Sequence, residues 1–203
     1  MHPQISELVA RYPQLSECQH SIEKAFDALC VCYAHDAQLL LAGNGGSAAD
    51  CEHWAGELLK SFRRARPIPG DWSQWLGPDL ASKLQGGLSA IPLTGFPSYR
   101  SAFDNDVDPT FAFAQLVWVL GRENDVLAAI STSGNSENVI AAARVARAKA
   151  IKVIGLTGQG GGRLAENCDI VIAVPEREVH KVQELHLPVY HALCLMLEDE
   201  FFG

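Results

Sequence analysis

Four hydroxyl side chains stand close together in the run Ser131-Thr132-Ser133-Gly134-Asn135-Ser136. The run lies where an apolar stretch gives way to a helical pattern. Backbone N–H groups at a helix start lack partners and carry partial positive charge, which favours an anion there. Capping a helix needs one such residue, so four hydroxyls indicate more than a cap. Gly134 lets the backbone approach a ligand closely. The run therefore predicts a cradle for the phosphate of a phosphorylated sugar.

A second glycine-rich turn, Gly43-Asn44-Gly45-Gly46-Ser47-Ala48, follows an earlier apolar stretch. It satisfies the G-x-G-x-x-A pattern of dinucleotide-binding proteins, but that pattern needs a compact strand–helix–strand unit. The next apolar stretch begins only at Leu88, too far along the chain for such a unit. A Walker-type loop is also excluded, because no Lys-Ser/Thr pair follows the glycines. We interpret the segment as a backbone turn that faces the substrate.

Side chains suited to acid–base chemistry or metal binding occur in two places. His53 and Glu57 are four residues apart, hence on one face of a helix. Gln183 and His191 lie in the last helical stretch, with His186 between them. Two histidines, a carboxylate and an amide oxygen can bind Zn²⁺ or a similar divalent ion, and the same groups can move a proton at a carbonyl carbon. Each histidine can equally be an ordinary surface or core residue, so the spacing leaves all three interpretations open.

One distance bears on whether these groups meet. Eight helical residues span about 12 Å, so Gln183 and His191 reach a single ion only with difficulty. Either the helix distorts, or the site collects side chains across a subunit boundary. Pro188 lies between them and is expected to kink the helix, because it removes the hydrogen bond to the carbonyl of Glu184.

The elements that must position these residues follow from the alternation of patterns along the chain. Five apolar stretches of strand length alternate with helical patterns, at 38–42, 88–93, 126–130, 152–156 and 170–174. Nearly continuous apolar strands indicate a parallel sheet covered by helices on both faces. Ligands of such sheets bind at the carboxyl ends of the strands. This edge would hold both turns and the loop 94–106.

The sequence predicts a single α/β domain over 1–203, a three-layer sandwich with a five-stranded parallel sheet. Two N-terminal helices are expected within 1–35, separated by a break near Pro13 and Ser16. The segment 64–87, rich in Pro, Gly and Trp, is predicted to be an inserted loop. Trp72 and Trp75 suggest that this loop packs against another surface.

Composition narrows the function classes. The net charge of −8 argues against a nucleic-acid partner, which needs a concentrated basic surface. The basic cluster at 63–66 is expected to be a solvated helix end. No apolar run approaches the ~20 residues of a membrane span, and no export signal is visible. The six cysteines lack CxxC pairing and are predicted to be reduced thiols. We expect a cytoplasmic protein without nucleic-acid or membrane partners.

Three segments carry a resemblance to a known family: GNGGSAADCEHWAGE, STSGNSENV and VQELHLPVYHALC, in that order. Together they resemble the sugar isomerase (SIS) domain family, and within it the phosphoheptose isomerases, from roughly Leu39 to Glu198. The resemblance implies the SIS fold and a homotetramer with active sites at subunit interfaces. Segment 64–87 is longer than the family pattern, so it is expected to cover the site or to build an interface.

The resemblance also implies roles for individual residues. Substrate contacts fall on the turn Asn44, Gly45 and Gly46, which we extend to Ser47, and on the pair Asn105 and Asp106. The phosphate is held by Ser131, Thr132, Ser133 and Ser136. The zinc ligands are His53, Glu57, Gln183 and His191, of which Glu57 and Gln183 also contact the substrate.

The implied reaction converts sedoheptulose 7-phosphate to D-glycero-D-manno-heptose 7-phosphate through an enediol(ate). Our hypothesis makes Glu57 the base that moves the proton between C1 and C2, and His191 its acid–base partner. Two alternatives remain open: a non-catalytic SIS protein that binds a protein partner, as the replication-initiator-associating factor does, and an isomerase of another phosphosugar. The presence of His191, which the non-catalytic relative lacks, favours catalysis.

Overall fold

A computed structural model describes residues 2–203. Its centre is a five-stranded, all-parallel sheet in the order β2-β1-β3-β4-β5. The strands are β1 (Leu39–Gly43), β2 (Ala90–Pro92), β3 (Val126–Ser131), β4 (Lys152–Thr157) and β5 (Ile170–Ala173). Every residue of β1 and β3 is buried, as expected for central strands covered on both faces. The predicted parallel sheet is confirmed.

Helices cover both faces of the sheet. They are α1 (Pro3–Arg11), α2 (Gln19–Ala34), α3 (Gly46–Leu59), α4 (Gly70–Ala81), α5 (Pro97–Asp106), α6 (Ala112–Leu120), α7 (Glu137–Ala148) and α8 (Val179–Phe202). Short 3₁₀ segments occupy Pro13–Cys18, Pro109–Phe111 and Gly162–Asn167. The break between α1 and α2 falls at the predicted place.

Alternate residues of the central strands build two separate cores. Leu39 and Leu41 of β1 pack with α1, α2, α3 and α8, whereas Leu40 and Ala42 pack with α6 and α7. This alternation follows from the strand's two-residue period, which points successive side chains to opposite faces. The three-layer sandwich is thereby confirmed. None of the helices in residues 2–203 combines the length and apolar character needed to cross a bilayer.

Two segments expected as loops contain helices. The loop 94–106 includes α5, and the inserted segment 64–87 includes α4, which bends at Gly77 with φ 74°. Glycine and proline inside these segments hid the helical pattern. No residue of α4 is buried, and the side chains of Trp72 and Trp75 are 61% and 86% exposed. The two tryptophans are therefore not buried against another surface of this chain, as we had expected them to be.

The basic cluster at 63–66 is not simply a solvated helix end. Arg66 is 1% exposed, and its Nε donates to Glu198 Oε1 at 2.9 Å. Glu198 also accepts from the backbone N–H groups of Phe62, Arg63 and Arg64. The expectation was wrong because the partner carboxylate lies far away in the sequence, on α8. This network fastens the start of the inserted segment to the C-terminal helix.

Candidate active site

The predicted phosphate cradle joins β3 to α7 at the carboxyl edge of the sheet. Ser131 Oγ and Ser136 Oγ lie 2.9 Å apart and hydrogen-bond to each other. Ser136 immediately precedes α7, yet its side chain caps no helical N–H group. Ser133 is exposed and accepts a hydrogen bond from Asn135 N at 3.2 Å. Ser136 therefore does not serve as an ordinary side-chain cap, and phosphate binding by the run stays a prediction.

The loop that follows β4 packs against the cradle. Gly134 has φ 65°, and a Cβ there would overlap the carbonyl oxygen of Gly161 in the loop after β4. Leu164 N donates to Gly134 O at 2.8 Å, and Arg163 N donates to Asn135 Oδ1 at 3.2 Å. Only glycine combines this backbone angle with so close an approach. The sequence pattern of the cradle did not reveal this supporting loop.

The glycine-rich turn lies beside the cradle. The amides of Asn44 and Asn138 exchange two hydrogen bonds of 2.8 and 2.9 Å, which join the turn to the first residues of α7. Gln183 reaches the same place from α8, because a Cβ on Gly46 would overlap its side-chain amide. Asn44, Gly46 and Gln183 are thus brought together as predicted. Asn138 was not singled out from the sequence, although it lies just after the serine run.

Other predicted substrate residues are placed differently. Ser47 is 3% exposed and begins the buried side of α3. Asn105 and Asp106 end α5, are exposed, and among the described residues hydrogen-bond through their side chains only to each other. Within residues 2–203, neither Ser47 nor the pair Asn105 and Asp106 makes a side-chain hydrogen bond to the cradle.

The acid–base side chains form a second group, farther along α3 and α8. His53 Nε2 and Glu57 Oε1 are 3.2 Å apart, and Glu57 Oε2 accepts from Lys60 Nζ at 3.2 Å. The ring of His191 packs edge-on against His53, with 5.0 Å between centroids. Its Nε2 is buried without a hydrogen-bond partner. Burial and the neighbouring His53 lower the pKa of His191, which favours the neutral ring.

Gln183 does not join this group within one chain. Helix α8 runs without a break from Val179 to Phe202, through Pro188. Gln183 therefore contacts the turn at Gly46, while His191, about 12 Å further along the helix, contacts His53. Of the two options left open by the sequence, a distortion that brings both side chains to one point is not observed.

The spacing of the predicted ligand atoms can be compared with the spacing that a divalent ion requires. Two ligands of one tetrahedral zinc ion, with bonds of about 2.0–2.1 Å, stand about 3.3 Å apart. His53 Nε2 and Glu57 Oε1 meet this spacing. However, no three His, Cys, Asp or Glu side chains in residues 2–203 are placed to hold one ion. His53 and Glu57 fit as two ligands, His191 lies beside them, and Gln183 is absent from the group.

His186 is a core residue. It is fully buried, its Nε2 lies 3.2 Å from Thr157 O, and burial lowers its pKa to about 4. Its side chain therefore stays neutral and takes no part in the site. The sequence patterns missed two other residues near the acid–base group. Tyr190 contacts His53 through its hydroxyl, and Asp50 accepts a hydrogen bond from that hydroxyl.

A doubly covered parallel sheet with a hydroxyl cradle and a His–Glu pair defines a phosphosugar-binding protein of the sugar isomerase type. In agreement, the SIS domain family model matches residues 105–196. The chain is 39% identical over 183 residues to the phosphoheptose isomerase of Burkholderia pseudomallei, covering 90% of this chain and 83% of the relative. This chain belongs to the phosphoheptose isomerase family.

Solved structures agree with this assignment. The phosphoheptose isomerase of Francisella tularensis superposes with a TM-score of 0.78 at 30% identity, covering 96% of this chain and 93% of that one. The corresponding enzyme of Neisseria gonorrhoeae gives 0.72 at 31% identity, covering 96% and 98%. The family resemblance seen in the three sequence segments is confirmed over nearly the whole chain.

Proposed function

We propose that this protein interconverts sedoheptulose 7-phosphate and D-glycero-D-manno-heptose 7-phosphate. The observation that carries the proposal is the group His53, Glu57 and His191, because a protein that only binds a phosphosugar has no need of it. The family relationship supplies the substrate. The hydroxyls of 131–136 would hold the phosphate and leave the carbonyl end of the sugar to the acid–base group.

The reaction moves a proton between C1 and C2 of the sugar. Glu57 is the proposed base: its carboxylate takes the proton from C1 of the ketose and returns it to C2 to give the aldose. Lys60 Nζ donates a hydrogen bond to the other carboxylate oxygen, Glu57 Oε2, at 3.2 Å. His191 is the proposed partner that exchanges protons with the oxygens on C1 and C2 as the enediol(ate) forms and collapses.

A divalent metal ion, such as Zn²⁺, is part of the proposal. His53 and Glu57, which have the spacing of two ligands, would hold it, and His191, whose ring packs against His53, and Gln183 would have to move towards the ion to complete the set. A bound ion supplies Lewis-acid polarisation of the carbonyl oxygen and stabilises negative charge on the enediolate. Glu57 serves in both roles, and a metal-bound carboxylate is a weaker base, so its ligand and base functions compete.

We further propose a homotetramer in which each site is shared between subunits. The separation of Gln183 from His191 supports this, since one subunit offers the cradle with Gln183 and another would offer His53, Glu57 and His191. Exposed apolar side chains on α4 and α6 supply candidate contact surfaces: Trp72, Trp75, Trp118 and Val119. The six free thiols suit a cytoplasmic location.

Hybrid oligomers test the shared site directly. Gln183→Ala and Glu57→Gln proteins are each expected to be inactive. Co-expressed, they regain part of the activity if a site takes Gln183 from one subunit and Glu57 from another. If both residues serve the same site from one chain, no hybrid contains an intact site and activity stays absent. A catalytically competent monomer by light scattering would also refute the proposal.

The reaction itself is tested by incubating the protein with sedoheptulose 7-phosphate and following the aldose product. We expect turnover that falls on chelation and returns with added metal. Glu57→Gln should lose turnover by about 100-fold or more. The matched control is Glu52→Gln on the same helix: Glu52 is exposed, and the amide oxygen of glutamine can still accept its one hydrogen bond, from Thr94 Oγ1. Absence of turnover in the metal-restored wild type would favour the non-catalytic alternative.

A further inference from the structure

Four side chains form a hydrogen-bonded line that runs into the acid–base group. The hydroxyl of Tyr190 donates to Asp50 Oδ1 at 3.2 Å, and His53 Nδ1 lies 3.0 Å from the same hydroxyl. On the other side of its ring, His53 Nε2 lies 3.2 Å from Glu57 Oε1. Asp50, Tyr190, His53 and Glu57 thus make a continuous line across α3 and α8. Neither Asp50 nor Tyr190 has a role in the proposed reaction so far.

The direction of these bonds selects one form of the histidine ring. A phenol has a single proton, and of the two neighbours of the Tyr190 hydroxyl the Asp50 carboxylate can only accept it, whereas the His53 ring can also donate. Towards His53 the Tyr190 oxygen must then accept, so Nδ1 carries the proton. In the neutral ring Nε2 consequently bears a lone pair, and it faces Glu57 Oε1. Two acceptors at this spacing are the arrangement in which a shared metal ion is bound.

The hydroxyl of Tyr190 is held rigidly in place. The side chain is fully buried, and its ring stacks on Trp54 with an interplanar angle of 14°. It also meets the rings of His53 and His191 edge-on, at centroid distances of 5.7 and 5.0 Å. His53, by contrast, is half-exposed, with 46% of its side chain accessible. A ring so open to solvent depends on its hydrogen bonds for a fixed orientation.

We propose that Tyr190, supported by Asp50, is a positioning residue that holds His53 in the Nδ1-protonated form with Nε2 directed at Glu57. The requirement is chemical: the Nε2–H form would donate to Glu57 and occupy the carboxylate oxygen with a hydrogen bond. A hydrogen-bond partner on the other ring nitrogen fixes both the orientation and the basicity of a ligand histidine. The inference rests on the proposed role of Glu57 for its effect on activity, but its effect on His53 is independent of any turnover.

The chain provides a matched control. Tyr33 is another buried tyrosine, but its hydroxyl has no hydrogen-bond partner among residues 2–203. Tyr190→Phe and Tyr33→Phe therefore remove the same atom from two buried rings, and only the first removal breaks hydrogen bonds. Asp50→Asn is the second variant, since it keeps an oxygen acceptor and removes the charge. Circular dichroism and thermal midpoints establish that each variant is folded.

The first measurement is long-range ¹⁵N NMR of histidine-labelled, metal-free protein, with the His53 signals assigned by their loss in His53→Asn. In the wild type and in Tyr33→Phe we expect a protonated Nδ1 and a lone pair on Nε2. In Tyr190→Phe the signals should shift towards the Nε2–H form. Asp50→Asn should shift them in the same direction by a smaller amount. A His53 tautomer unchanged in Tyr190→Phe overturns the proposal, whether or not the protein is an isomerase.

The second measurement separates positioning from general packing. Zinc affinity, by competition with a chromophoric chelator, should fall about 10- to 100-fold in Tyr190→Phe and stay at the wild-type value in Tyr33→Phe. In turnover of sedoheptulose 7-phosphate, kcat should fall by a similar factor while KM changes little, because the phosphate is held elsewhere. Equal losses in both tyrosine variants would show a packing effect and overturn the proposal. Loss of wild-type turnover alone would instead remove the proposed function and leave the NMR and zinc results standing.

Discussion

Replacing Glu198 with glutamine should destabilise the protein far more than its place near the end of α8 suggests. The carboxylate and the Arg66 guanidinium are both essentially inaccessible, at 1% and 0% exposure. Glu198 accepts from Arg66 Nε and from three backbone N–H groups, those of Phe62, Arg63 and Arg64. A glutamine keeps the shape of the side chain but leaves the Arg66 charge buried without a counter-charge.

The expected cost follows from that uncompensated charge. Breaking a buried ion pair by removing one partner costs about 3–5 kcal/mol. Each kcal/mol lowers the melting temperature of a chain of this length by about 2–4 °C, so we expect a loss of at least about 6 °C. Arg66 also donates to the carbonyls of Leu58 and Glu57 at the end of α3. Loosening this end should lower kcat as well, because it carries the proposed base.

Thermal unfolding at fixed subunit concentration measures the effect. Asp199→Asn is the control: its carboxylate is the next residue, is 22% exposed, and pairs with the half-exposed Arg63 and Arg64. That change should cost no more than about 1 kcal/mol. Replacing Arg66 and Glu198 together with Met and Leu should recover only part of the loss: no charge is then left buried, but the backbone N–H groups of 62–64 lose their acceptor. A Glu198→Gln loss no larger than that of Asp199→Asn would refute the reasoning.

Two further predictions concern the cradle and the core. Gly134→Ala places a side chain at φ 65° against the carbonyl of Gly161, so we expect a loss of about 2 kcal/mol and a raised KM for phosphorylated substrate. Gly56→Ala in α3, where a Cβ meets nothing within 4 Å, should be neutral or stabilising, and an equal loss there would contradict the argument. The second prediction uses the pKa of His186, lowered from 6.5 to about 4 in the folded state. Between these values the unfolded chain binds a proton that the folded chain does not, so stability falls as pH drops from 6.5 towards 4, by up to about 3 kcal/mol. In urea titrations at pH 7 and 5, His186→Gln should reduce this dependence, whereas the exposed His180→Gln should leave it unchanged.

The strands were predictable because their residues are apolar without interruption. No polar residue alternates with Leu39, Leu40 and Leu41, so the sequence predicts a strand that is buried on both faces. The structure confirms this prediction. Helix α4 was not predictable, because Gly77 and Pro78 interrupt its pattern and none of its residues is buried. Such a segment has neither the hydrophobic periodicity nor the buried face from which a helix is predicted.

The candidate site divides in the same way. The cradle at 131–136 and the pair His53 and Glu57 were visible from the sequence, because their partners are a few residues away. The support of Gly134 by Gly161, and the pairing of Asn44 with Asn138, join loops that follow different strands. No local pattern contains such a contact, since it arises only when parallel strands bring their carboxyl ends to one edge.

By itself, the sequence determined the parallel α/β architecture, the family, the serine cradle and the types of the acid–base groups. These follow from local periodicity and from side chains that are close in the chain. Only the tertiary structure decided that Gln183 lies at the turn while His191 lies at His53, and that Tyr190 and Asp50 stand behind that histidine. The physical reason is the parallel packing of α3 against α8, which sets each residue of one helix opposite a particular residue of the other.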